Sequence, residues 1–69
     1  MNKKDLIERM TNHLENMCAY HATGDMQLFH YYAGKAEAIR DLLDDFYNWD
    51  DDSASEHIKN MWEIMDEHW

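Results

Sequence analysis

The sequence predicts an all-α fold, a small three-helix bundle running up-down-up, and three observations carry that prediction. The 69 residues contain no proline and only two glycines, Gly24 and Gly34, so the residues that usually write turns are nearly missing. Apolar residues recur at steps of three and four in three separate runs. Nowhere do they alternate as they would along a half-buried strand. A chain of this length forms one domain at most and buries only about 60% of its unfolded surface. Small scaffolds of this kind lean on disulfides, metals or a second subunit. Cys18 is the single cysteine, which excludes an intrachain disulfide and fits a reducing, cytoplasmic setting. Aromatics make up 13% of the chain, more than so small a monomer easily hides. Homo-oligomerisation through the first two helices is therefore expected.

The first helix is predicted over residues 3–21. Ile7, Met10, Leu14, Met17 and His21 step by three and four, and Leu6 and Cys18 widen the stripe. Thr23, Gly24 and Asp25 interrupt it: Gly24 suits a left-handed C-cap, and Thr23 or Asp25 can cap the next helix. The second helix is predicted over residues 25–47, on the seam Phe29, Tyr32, Ala36, Ile39, Leu43 and Phe46. Gly34 and Ala38 lie one turn apart on a neighbouring line, where another backbone can approach. Asn48 to Asp52 breaks this helix. Ser53 and Glu56 have the spacing of a capping box, and Ile58, Met61, Trp62, Met65 and Trp69 mark a third helix over residues 53–68.

Several functional classes fit poorly. No apolar run reaches the roughly 18 residues of a membrane span, and no secretory leader is recognisable after Met1. His13, Cys18 and His21 share the first helix, but a zinc site needs a fourth ligand from a distant residue. Reading Asn48, Asp50 and Asp52 as the start of a calcium loop places Ser53 and Lys59 where glycine and glutamate belong. No phosphate-binding loop, nucleophile elbow or metalloprotease motif occurs. The sequence predicts neither an enzyme nor a cofactor or metal.

Charge is the most informative property. The net charge is −9, and it is unevenly placed. Residues 1–40 carry five acids and five bases, whereas residues 41–69 carry ten acids and Lys59 alone. Such a field opposes nucleic acid and anionic membrane and favours basic partners. It also costs stability by self-repulsion, which a marginal core tolerates best if the field is useful. The densest part, DDFYNWDDD at residues 44–52, reads as an acidic lip in which Phe46 and Trp49 anchor the turn. A row of carboxylates can imitate duplex phosphates. The predicted partner-binding face is Asp41, Asp44, Asp45, Asp50, Asp51, Asp52 and Glu56, with Tyr47 and Trp49 as aromatic anchors.

YAGKAEAIR at residues 32–40, leading into DLLDD at residues 41–45 and the Trp-rich acidic end, resembles the small, acidic, all-helical accessory proteins of bacteriophages and other mobile elements. The resemblance implies counter-defence by binding, in one of two forms. One form is an acidic DNA mimic that blocks a restriction or CRISPR effector in the host cytoplasm. The other is a helical oligomer that sequesters a nucleotide immune signal. For the second form the candidate ligand groups are Tyr31, Lys35 and Arg40, joined by Lys3, Lys4 and Arg9. A structural dimerisation module without a ligand is the third reading.

Overall fold

The computed structural model describes residues 2–50 and 54–68. It contains three helices and, among the described residues, no strand: α1 (Lys3–Thr23), α2 (Met26–Tyr47) and α3 (Glu56–His68). The dimensions are 33 × 21 × 16 Å. Local chemistry fixes each boundary. Asn2 caps α1 by accepting the Asp5 N–H at 2.9 Å. At its far end Gly24 adopts φ 82°, and its N–H donates to the His21 carbonyl while that of Asp25 donates to Tyr20. This pair of bonds is a Schellman motif, and it needs a left-handed residue at Gly24. The Asp25 carboxylate then accepts the Leu28 N–H at 3.2 Å and starts α2. The chain thus closes one helix at Gly24 and opens the next at its neighbour.

Asn48 ends α2 in the left-handed region, at φ 52°, and the Trp49 N–H turns back to the Leu43 carbonyl. Asparagine tolerates that conformation better than most side chains. On the described chain α3 is capped by Ser55, whose hydroxyl accepts the Ile58 N–H at 3.3 Å. The helix begins at Glu56, three residues later than its predicted start. Ser53, the expected cap, lies outside the described residues.

Ring contacts establish the topology. His21 meets Phe29 and Tyr20 stacks on Tyr32, so α1 and α2 are antiparallel. His57 lies 3.9 Å from Glu15, and His68 lies against His21, so α3 runs beside α1 in the same direction. The α1–α2 pairing is the more extensive; α1 also packs against α3. The core takes Leu6, Met10, Leu14 and Met17 from α1. It takes Phe29, Ala33, Ala36 and Leu43 from α2, and Ile58, Met61, Trp62 and Met65 from α3.

The seam expected on α2 holds only in part. Phe46, expected to anchor the following turn, is 74% exposed. It lies on the flank of α2 nearest α1, at the level where α1 begins, so little of that helix is left to cover it. Trp49 does pack against the core. Gly34 sits at no helix crossing: a Cβ added there meets nothing within 4 Å.

The two glycines should respond oppositely to alanine. Gly24→Ala forces a side chain into left-handed backbone and should cost about 1 kcal/mol, roughly 4–8 °C in Tm for a domain this small. Gly34→Ala, in an open helix interior, should gain about 0.5–1 kcal/mol. Thermal unfolding followed by circular dichroism checks both signs.

Candidate functional site

A groove of about 490 Å³ lies between α2 and α3, lined by Glu37, Arg40, Asp41, Asp44, Trp49, Met65 and Asp66. That size lies within the range of ligand pockets. Its lining follows from helical geometry. Glu37, Asp41 and Asp44 are spaced i, i+4, i+7 and share one flank of α2. Asp66 comes from α3, and the turn after α2 brings Trp49 back to the floor. Four acidic residues and one arginine therefore line the groove. The Arg40 guanidinium lies over the Trp62 ring at 4.6 Å from its centroid. Trp62 is a core residue, so Arg40 is drawn inward to the α2–α3 boundary.

Of the residues predicted for the acidic face, the groove brings together Asp41, Asp44 and Trp49. Asp45, Tyr47 and Asp50 are exposed outside it, and Glu56 is exposed on the first turn of α3. Asp51 and Asp52 lie outside the described residues. Glu37, Met65 and Asp66 join the site without having been predicted for it. The one-flank spacing of Glu37 with Asp41 and Asp44 is a usable signal, although Glu37 belongs to the neutral half of the chain.

The residues considered for a nucleotide separate into two places. The Lys35 ammonium lies over the Tyr31 ring at 4.8 Å, and its hydrogen bond to the Tyr31 side chain raises its pKa. Lys35 and Arg9 both act electrostatically on His13, so Tyr31, Lys35 and Arg9 belong to one basic corner. Arg40 is five residues beyond Lys35, about 140° round the helix, and belongs to the acidic groove. Lys3 and Lys4 are exposed in the first turn of α1.

Two further groups have altered acidity. Burial, helped by the Glu15 carboxylate, raises the pKa of the Cys18 thiol, which keeps it in its unreactive protonated form. His13 is lowered by burial first, then by Lys35 and Arg9. Its Nδ1 is buried without a hydrogen-bond partner among the described residues. No group of three or more His, Cys, Asp or Glu among the described residues is placed to hold a metal ion. No helix of the described chain is long and apolar enough to cross a membrane.

No protein family matches the chain, and neither a curated protein nor a solved structure matches it significantly. The functional reading therefore rests on the geometry of this molecule.

The position of His13 gives a pH dependence of known sign. Its folded-state pKa lies below the ordinary 6.5, so the unfolded chain takes up the proton more readily. The stability held by the neutral ring is complete above 6.5 and lost as pH falls through the lower folded value. Melting temperature should decline from neutral toward about pH 5, and His13→Gln should make that decline shallower. Parallel melts of the two proteins across this range provide the check.

Proposed function

We propose that the protein is a non-enzymatic interaction protein whose acidic face binds the nucleic-acid-binding surface of a basic partner, as a counter-defence inhibitor would. The observation that carries this reading is the groove itself. Glu37, Asp41, Asp44 and Asp66 line, with Arg40, a cavity of about 490 Å³, on a chain of net charge −9. Such a groove suits an inserted lysine or arginine stem. The carboxylates meet its charged end, and Trp49 and Met65 cover its methylenes. The exposed Asp45, Asp50 and Glu56 extend the same field and speed encounter with a cationic surface. Asp51 and Asp52 add to it by charge. Carboxylates along a helix flank take the place that phosphates occupy in the partner's ordinary ligand.

The basic corner supports a second reading, sequestration of a nucleotide by an oligomer. Its specific support is the Lys35 ammonium held over Tyr31 with Arg9 nearby. That arrangement offers a stacking surface and two cations to a phosphorylated base. Lys3 and Lys4 would extend it, whereas Arg40 would not. A rise in melting temperature with a cyclic or linear nucleotide would favour this reading.

Displacement of labelled duplex DNA from a basic nucleic-acid-binding effector tests the first reading. The protein should compete for the effector, and competition should weaken steeply as salt rises. Replacing Asp41, Asp44 and Asp66 together by asparagine should weaken it at least about tenfold. Undiminished competition by that triple variant would refute the assignment of the groove.

A further inference from the structure

We propose that Arg9 and His13 of α1, with Tyr31 and Lys35 of α2, form an anion site for the phosphate group of a small phosphate monoester. The inference rests on the second reading above, whose basic corner it uses, but it needs neither an oligomer nor a nucleotide base. The chain has 15 acids and only six lysines and arginines, so cations standing apart from carboxylates are unexpected. Yet neither Arg9 nor Lys35 has a carboxylate within 4.0 Å among the described residues.

Helical geometry accounts for this. Arg9, His13, Asn16 and Tyr20 follow one another at i, i+4, i+7 and i+11 on one edge of α1. The contacts of His13 and Tyr20 with Tyr32 set that edge beside α2. The acid on the same edge is Asp5, one turn beyond Arg9. On α2, the acids Glu37, Asp41, Asp44 and Asp45 lie at least about 80° round the helix from Lys35. The net charge of −9 opposes an anion at long range. Its excess acids belong to residues 41–69, however, and charges beyond about 8 Å are largely screened at physiological ionic strength. The local cations therefore decide the sign at this edge.

Measured contacts tie the four groups together. The His13 ring lies 6.1 Å from that of Tyr32, and Tyr31 meets Tyr32 edge-on at 5.0 Å. The Lys35 ammonium lies 4.8 Å over Tyr31. The charges that act on His13 are both positive, Lys35 and Arg9. The groups facing His13 are thus Arg9 and Tyr20 from α1, and Tyr31, Tyr32 and Lys35 from α2. Each member of the site has a donor to spare. Lys35 donates to the Tyr31 hydroxyl, which leaves the phenolic O–H and the other ammonium hydrogens for a further acceptor. Nδ1 of His13 is buried without a partner among the described residues, so the neutral ring carries its proton on Nε2 and offers it to a ligand. The Arg9 guanidinium presents paired N–H groups that match two oxygens. A phosphate monoester has three strong acceptor oxygens and close to two negative charges at neutral pH, which fits this donor set better than the single charge of a carboxylate. Tyr31, 53% exposed, offers its ring to the organic part. A bound dianion opposes the two cations that hold the His13 pKa down, so binding should raise it.

Proton NMR titration of the histidine rings, with phenyl phosphate as the probe, provides the test. His13→Phe assigns the His13 signal by its loss. Phenyl phosphate should raise the His13 pKa and leave the His57 signal unmoved. Arg9→Gln and Lys35→Gln should each weaken binding about tenfold, with circular dichroism confirming that the helices are intact. Inorganic phosphate, which lacks a ring, and benzenesulfonate, a monoanion, should both bind more weakly than phenyl phosphate. Adenosine monophosphate separates this site from the nucleotide reading. Equal binding of phenyl phosphate and adenosine monophosphate, each raising the His13 pKa, would keep the anion site and remove the nucleotide. Binding of adenosine monophosphate alone, with the His13 pKa unmoved, would keep the nucleotide reading and overturn the anion site. A His13 pKa that no phosphate moves, or binding undiminished in both glutamine variants, would also overturn it.

Discussion

The bundle depends on α1 acting as a shared wall. Leu6, Met10, Leu14 and Met17 are buried, and they form the stripe through which α1 meets α2 on one side and α3 on the other. The two pairings are unequal. A single Gly24–Asp25 turn holds α1 to α2 in register, and the hairpin is the more extensive contact. The third helix adds Ile58, Met61, Trp62 and Met65 to the same core. Between α2 and α3 the situation differs: Glu37, Asp41 and Asp44 on one flank face Asp66 on the other. Like charges repel across that gap, and Arg40 over Trp62 supplies a cation at its base. The groove thus lies between two acidic helices that both pack on α1, and mutual repulsion of its carboxylates would favour an open gap.

This arrangement divides α2 into three faces with different consequences. The inner face supplies Phe29, Ala33, Ala36 and Leu43 to the core. The flank toward α3 carries the carboxylates of the groove. The outer face carries exposed tyrosine and leucine around Gly34 and Ala38. The proposed function uses the α3 flank, with Asp41 at its border with the outer face. Self-repulsion among the acids lowers stability, and the core of so short a chain has little to spare. Four of its buried side chains, Met10, Met17, Met61 and Met65, are methionines, whose flexible thioethers fill an irregular space without specifying it tightly. A cationic side chain entering the groove would relieve the repulsion, so binding and stability are coupled through the same charges.

The helices are legible in the sequence because the three- and four-residue steps of their apolar residues match the geometry of packing. The turn at Gly24 and Asp25 is legible because glycine takes the left-handed backbone without strain and aspartate is among the few residue types that cap a helix start well. Phe46 departs from expectation because periodicity shows which flank a residue occupies but not where the neighbouring helix starts. The cap of α3 is less legible: the Ser53–Glu56 spacing points to Ser53, whereas the described helix starts at Glu56 and Ser55 accepts the Ile58 N–H. The acidic character of the site is visible in the charge imbalance. Its composition is not: Asp66 and Met65 join Asp41, Asp44 and Trp49 only through the tertiary fold. The separation of Arg40 from Lys35 is implicit in helical angles, but its stacking on Trp62 requires the position of α3.

The most direct test of this account is native-state hydrogen exchange resolved by residue, at low and at high salt. If α1 is the shared wall and carboxylates hold α2 and α3 apart, amides of α3 should open at lower free energy than those of the α1–α2 hairpin. Raising ionic strength, which shortens the screening length from about 10 Å at 0.1 M to about 3 Å at 1 M, should protect α3 selectively and narrow the difference. Equal protection of all three helices, unchanged by salt, would contradict the account.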